Sequence, residues 1–299
     1  MNKNINITKS KNLENNKNAE NEEIAKITET IKDNLNVNIN IDTDKQYIIS
    51  LFVDNVKGVE ICTKEQNKNH CGKEGHWLET KMKIKHNSKN EPDIRGYEMK
   101  KLSNKITLGD FSASEYLFSK KNKRQTINNY NGWTDDIKIN KNDFIKYFGN
   151  PNTDKNNRYS WSGSCVPTYD NWNANGQNLL VLDDDIIIYY SFLKDTRNTK
   201  NNLPEFLKKD NIVIAIWKKE KMKQHIDNKF NKKGFFICKK VKNKYEKICF
   251  GKPFNFEYFI ECIQNKKIMF DSGMYEGNNR NYSHFRGSYF WNELITEEY

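Results

Sequence analysis

The sequence predicts a mixed α+β (α/β) fold with a central mixed β-sheet flanked by helices. Apolar runs of strand character ("NLLVL", "DIIIYYSF", "NIVIAIW", "GFFICKKV") alternate with segments of helical spacing, without the regular βαβ interval that a doubly wound parallel sheet needs. A chain of 299 residues is long enough to bury a sizeable core. Only 36% of it is hydrophobic and the mean hydropathy is −0.95, so that core lies under an unusually polar surface. Much of the polarity is Lys and Asn, a bias that genome composition explains as readily as selection does.

Taken in order, the first fifteen or so residues lack apolar periodicity and read as disordered. In "NAENEEIAKITETIKDNL", Ile24, Ile27 and Ile31 share one helical face behind an acidic first turn, so residues 1–44 read as a polar extension carrying one helix. "DKQYIISLFVDNVKG" places Tyr47, Ile48, Leu51, Phe52 and Val56 at helical spacing with Gly58 as a stop. "EGHWLETKMKI" gives a short helix with Trp77, Leu78, Met82 and Ile84 on its apolar side. Beyond the Pro92-Asp93 turn, "IRGYEMKKL" reads as a strand and "KITLGDF" as its neighbour across the turn-prone "SNK". "KIMFDSGMY" is a further strand; "SASEYLFSKK", "KNDFIKYFG" and "FNFEYFIECIQN" are predicted helices. The irregular stretch Lys121 to Gln177, rich in Asn, Trp and Tyr, suits binding loops.

The formal charge of +11 and the pI near 9.1 point to a polyanionic partner, nucleic acid first, because Lys and Arg gain affinity by displacing counterions from phosphates. The charge concentrates in residues 200–252, which hold sixteen lysines, no arginine and five acidic residues. Such a stretch suits non-specific phosphate attraction or a plain solvated face, not base reading. No apolar run approaches the ~18–20 residues of a membrane span, and the N-terminus has no secretory hydrophobic region, so a cytoplasmic protein is expected. The six cysteines are scattered without CxxC pairs and read as reduced thiols; Cys62, His70, Cys71 and His76 fit no standard zinc spacing.

The chemistry concentrates in "PDIRGYEMK". Alternation along a strand sends Glu98 and Lys100 to one face, and Tyr97 and Met99 to the other, where they can enter a core. A bend at Arg95-Gly96 would return Asp93 to the side of Glu98, giving two hard oxygen ligands for Mg²⁺ with an ammonium beside them. A divalent ion polarises a phosphate oxygen and acidifies a water, while the lysine holds and deprotonates that water. The spacing alone is common in so charged a chain. Glu79, on the preceding helix, either joins the same cleft or is an exposed helix glutamate.

The ordered run Glu79, Asn87, Pro92-Asp93, Glu98-Met99-Lys100 and Thr107-Leu108 resembles the type II restriction endonucleases of the MvaI/BcnI group, relatives of the MutH nickase in the PD-(D/E)XK nuclease superfamily. "VLDDDIIIYYSF", "NIVIAIW" and "MFDSGMYEGNNRNYSHFRGSYF" extend the likeness from about Gly58 to Trp291. The resemblance implies a PD-(D/E)XK core with two lobes around a DNA cleft, spanning residues 45–299: a catalytic core around 58–118 and 178–270, and recognition elements around 120–177 and 271–291. It implies a monomeric, Mg²⁺-dependent restriction endonuclease that cuts double-stranded DNA at a short pseudo-symmetric site, one strand at a time. A DNA methyltransferase would act on the same site. Asp93, Glu98 and Met99 fall at the metal, Lys100 serves the water, and Glu79 completes the acidic group. The family's Gly-Ile-Gly before the helix glutamate is here "CGKEGHWLE", and Arg286 replaces a His before Gly287. Those departures bear on target sequence and DNA clamping.

For base reading, Arg280, His284 and Arg286 lie in the Gly-bounded segment that matches a recognition element. In "KNNRYSWSG", Arg158 and Trp161 could contact DNA, although Tyr159 and Trp161 equally suit a core. Arg124, in "KKNKR", suits phosphate contact. Two other readings fit the sequence: a MutH-like repair nickase, and a nucleic-acid-binding protein without catalysis.

Overall fold

In the computed structural model, which describes residues 42–62, 72–85, 90–119, 137–287 and 289–299, Asp42 opens the first helix by accepting the Asp44 and Lys45 N–H groups at 3.0 and 3.1 Å. The helix predicted around Ile24, Ile27 and Ile31 lies outside the described residues, as do His70, Cys71, Asn87 and Arg124. The chain divides into two units, Met1–Tyr47 and Ile48–Tyr299.

Helix α1 (Thr43–Asn55) ends near Gly58, whose φ of +72° is the left-handed stop the sequence asked for. Its Ile48, Leu51 and Phe52, with Val56 beyond its end, join Trp77 and Leu78 of α2 (Lys73–Lys81) and the following Met82 and Ile84 in one apolar cluster. That cluster covers one face of a sheet ordered β1 (Glu98–Lys101), β9 (Phe235–Val241), β10 (Lys244–Gly251), β14 (Ile295–Glu298). Tyr97, Met99, Phe236, Cys238, Ile248 and Phe250 face α1 and α2; Phe235 and Ile237 face the other way, into the larger core. The pairing of β1 with β9 is parallel and the rest antiparallel, which makes this sheet mixed.

Besides this mixed sheet, the described residues form three further sheets. β2 (Ile106–Asp110) pairs with β13 (His284–Gly287), which pairs with β11 (Ile268–Asp271). β3 (Glu115–Tyr116), β8 (Ile212–Trp217), β7 (Asp185–Asp195) and β6 (Asn175–Leu182) form a second four-stranded sheet. A small sheet holds β4 (Asn150–Asn152), β5 (Arg158–Trp161) and β12 (Met274–Tyr275). Bulges in β6, β7, β10 and β13 break the registers of the other three sheets.

Two local expectations fail here. β2 does not pair with β1; it runs over the face of β1, where its Leu108 carbonyl accepts the Lys100 ammonium at 3.1 Å. The predicted helix at "SASEYLFSKK" is the short strand β3, because the exposed edge of β8 takes Glu115 and Tyr116 opposite Ile216 and Ala215. The helices α3 (Lys141–Phe148), capped by Asn140, and α5 (Phe256–Gln264), capped by Asn255, lie where expected. Between β8 and β9 runs α4 (Lys219–Phe230), with Met222, Ile226 and Phe230 in the core; α6 (Phe290–Leu294) follows β13.

Candidate active site

The "PDIRGYEMK" segment folds as a tight turn feeding an edge strand. Ile94 and Tyr97 exchange backbone hydrogen bonds at 3.0 and 2.8 Å, and the two residues between them, Arg95 and Gly96, have φ of +52° and +84°. Positive φ at both central positions is the geometry of a type I′ hairpin turn, and Gly at the second suits it. This bend carries Asp93 back along β1, where its Oδ2 accepts the Met99 N–H at 2.9 Å. Met99 itself buries its side chain against α1 and α2.

On the opposite face of β1, Glu98 is only 2% exposed. Its Oε1 accepts Lys100 at 2.6 Å and Lys229, from the last turn of α4, at 3.0 Å. Its Oε2 is buried with no hydrogen-bond partner among the described residues, an uncommon arrangement because an unsatisfied buried carboxylate oxygen carries the full desolvation cost. Burial and the neighbouring Glu98 charge push the Asp93 carboxyl up to about 6, against the pull of Lys100 and the Met99 N–H. Burial also draws the Lys100 ammonium down from its ordinary value, with Glu98 opposing.

Three of the four expected catalytic side chains therefore come together. Glu79 sits on α2 with its carboxylate 3.5 Å from His76, and it is not among the main influences on Asp93 or Lys100. Among the described residues no group of three or more His, Cys, Asp or Glu is arranged to hold a metal. Among the described residues the carboxylates brought together here are Asp93 and Glu98.

The expected DNA-binding residues separate by exposure. Arg280 is largely exposed, 3.7 Å from Asp110 and stacked over Tyr282. His284 and Arg286 sit on β13, with Arg286 Nε 3.0 Å from Asp271 and its Nη2 3.4 Å from His284 Nδ1. Arg286 also lines a hollow of about 440 Å³ with Lys105, Ser164, Thr168, Asn173 and Asp271. Arg158 lies over the Tyr275 ring at 3.8 Å. Trp161 is fully buried, edge-on to Phe144, with its indole N–H donated to Gln177 at 2.8 Å. The core reading of Trp161 is the one its burial supports, because the side chain has no exposed surface to offer DNA.

Sequence reasoning missed Lys229 and Asn90. Lys229 is one of sixteen lysines in its stretch, and only the α4 register, set by buried Met222, Ile226 and Phe230, aims it at Glu98. The Asn90 amide nitrogen donates to the His225 carbonyl at 2.9 Å and meets His225 Nδ1 at 3.0 Å, tying the approach to Pro92 onto α4. A backbone carbonyl can only accept, so this amide end is the NH₂ group and Nδ1 is an acceptor, leaving His225 neutral with its proton on Nε2.

A family model described as LlaMI restriction endonuclease matches residues 56–299. The chain is 40% identical over 271 residues to the type II restriction enzyme ScrFI of Lactococcus lactis subsp. cremoris, a match covering 85% of this chain and 98% of the relative. Among solved structures, the complex of the restriction endonuclease MvaI with its cognate DNA substrate has a TM-score of 0.52 at 14% identity, over 88% of this chain and 98% of that one.

Proposed function

Since this chain belongs to the LlaMI restriction endonuclease family and is a type II site-specific deoxyribonuclease, we propose that it cuts duplex DNA at a short pseudo-symmetric site, using Mg²⁺ and the Asp93, Glu98 and Lys100 group. The resemblance of its motifs to the MvaI/BcnI group is matched by the likeness of fold. Family membership also disfavours a silent binding protein and a repair nickase.

The observation that carries the assignment is the orphaned Glu98 Oε2, buried beside Asp93 and Lys100. A divalent cation satisfies such an oxygen, and Asp93 supplies a second hard ligand. A strand residue sends its N–H and C=O to the same edge, so the Met99 carbonyl faces the edge on which Asp93 lies. The residues present thus fit Mg²⁺. When bound, that ion supplies polarisation of a phosphate oxygen and acidification of a water.

The chain's own residues do the rest. Glu98 and the Leu108 carbonyl hold the Lys100 ammonium in place, where it orients the attacking water and offsets negative charge as the phosphate is attacked. A lysine drawn down by burial gives up a proton more readily than one in water. Asp93 is itself fixed by the Met99 N–H, so the ligand geometry rests on the backbone of one strand. Arg280, His284, Arg286 and Arg158 contact the DNA, with β13 and its preceding loop reading base edges. The enzyme works as a monomer and cuts the strands in succession, with the same site protected in the cell by a methyltransferase.

The test is incubation of mixed plasmid and phage DNA with the protein and Mg²⁺, followed by sequencing of the ends. One recurrent site is expected, with a nicked intermediate, a rate per enzyme independent of enzyme concentration, and no products in chelator. Ends scattered without a common sequence would overturn the site-specific reading. Glu98→Ala and Lys100→Ala are expected to abolish cleavage while specific binding stays within about tenfold, because both groups act in the transition state.

A further inference from the structure

Lys229 stands out because Glu98 already has a lysine. Its side chain is 14% exposed, against 2% for Glu98, and it meets the same oxygen, Oε1, that Lys100 does. Two ammonium groups on one oxygen repel each other, and one would neutralise that carboxylate. The arrangement is nevertheless built in. The core residues Met222, Ile226 and Phe230 fix the rotation of α4, Asp185 accepts the Lys219 N–H at 2.7 Å, and Asn90 grips the His225 carbonyl one turn before Lys229. Asp93 and Glu98 together supply two negative charges, and Lys100 and Lys229 two positive ones. Without metal the group is thus balanced when all four are ionised. A divalent cation adds two charges in excess, which the DNA phosphates can offset.

We infer that Lys229 is a resident counter-cation: with Lys100 it neutralises the carboxylate pair before substrate arrives, opposes the divalent ion at Glu98 by its charge, and passes its hydrogen bonds to a DNA backbone phosphate beside the cut. This positioning role leaves Lys100 to the water, and it rests on the nuclease reading given above. It makes metal binding weak in the free protein and strong only with DNA in place, so the site is assembled by its substrate.

The test uses the full chain and three readouts. Calorimetric titration with Mn²⁺ in the absence of DNA is expected to show Lys229→Gln binding the ion at least threefold more tightly than the natural protein. Affinity for the cognate duplex in Ca²⁺ should fall at least threefold, and single-turnover cleavage at saturating Mg²⁺ at least tenfold. Lys229→Arg keeps the charge and should restore both binding constants to within threefold. Lys229→Met, which keeps the apolar stem, is a second neutral variant that must move Mn²⁺ affinity in the same direction. A merely structural lysine would weaken ion binding when lost, so equal or weaker Mn²⁺ affinity in the neutral variants overturns the inference. A natural protein that neither cleaves DNA nor binds Mn²⁺ in a Glu98-dependent way would instead overturn the nuclease reading itself.

Discussion

Arg158 and Trp161 lie on the same short strand and face different fates. Trp161 is enclosed by Phe144, Phe270 and Gln177, so Trp161→Ala is expected to cost about 3–5 kcal/mol of folding stability by leaving a large cavity. Urea denaturation measures that loss, and the fraction that stays folded should bind DNA normally. Arg280 is the reverse case: its side chain is 71% exposed and its ion pair with Asp110 is a loose 3.7 Å. Removing it should leave the melting temperature unchanged and weaken specific binding by about 1–3 kcal/mol if it grips a base edge. Arg286 combines both features, because its guanidinium rests on Asp271 at 3.0 Å while facing the hollow beside β11. Arg286→Ala should therefore lower both stability and site preference. If neither arginine change altered site preference or affinity, β13 and its loop would not be the reading element.

Strand β1 owes its position to a neighbouring glycine and to a helix. Gly234 has φ of +87°, its carbonyl accepts the Glu98 N–H at 3.1 Å, and a Cβ there would meet the Gly251 oxygen at 2.3 Å. Gly234→Ala is thus expected to cost about 2 kcal/mol or more and to reduce cleavage through displaced Glu98. On the other face, Glu74 in the first turn of α2 takes Lys240 at 2.7 Å, Lys101 at 2.9 Å and the Tyr245 hydroxyl at 2.7 Å. Burial alone would raise this carboxyl, but the bonds from Lys240, Lys101 and Tyr245 outweigh it and hold it down to about 2. Its folded value lies below its unfolded one, so the stabilisation is complete above the ordinary carboxylate range and is lost as pH falls toward about 2. Glu74→Gln should cost about 1–2 kcal/mol at pH 7, after allowance for partial exposure, and the gap between the two proteins should narrow at pH 3. The turn at Arg95-Gly96 and the facing of Glu98 and Lys100 were legible in the sequence, because both follow from local rules: glycine at positive φ and strand alternation. The partners of β1 and β2 were not. A parallel neighbour more than a hundred residues away leaves no local trace, and β3 reads as helix until the edge of β8 is present to claim it.

At the scale of the molecule, the lysine-rich stretch from 200 to 252 looks different once folded. Lys218 and Lys219 reach Asp185 and Asp184, Lys223 reaches Glu257, Lys240 reaches Glu74, and Lys239 and Lys247 share Glu298. Each of those acids lies outside the stretch, so much of its local excess charge is spent on holding sheets and helices together. Charge counted along a sequence window therefore overstates the field that DNA meets. Lys221 is different, because it is exposed and takes no acidic partner among the described residues. At i, i+4 and i+8 it lines up with His225 and Lys229 on one face of α4, and its charge, after burial, helps hold the His225 imidazole below its ordinary value. That face runs from exposed Lys221 to Lys229 at Glu98, so on the reading proposed above it is where phosphates of the cut strand would lie. Counterion release separates the two kinds of lysine: log affinity for DNA falls linearly with log salt, with a slope of about 0.9 per phosphate contact. Lys221→Gln should lower the steepness by about one unit. The double change Lys239→Gln with Lys247→Gln should leave it as it was, because both lysines are spent on Glu298 at the surface. A fall in slope from the double change, with none from Lys221→Gln, would place the DNA on the β9–β10 hairpin instead of α4.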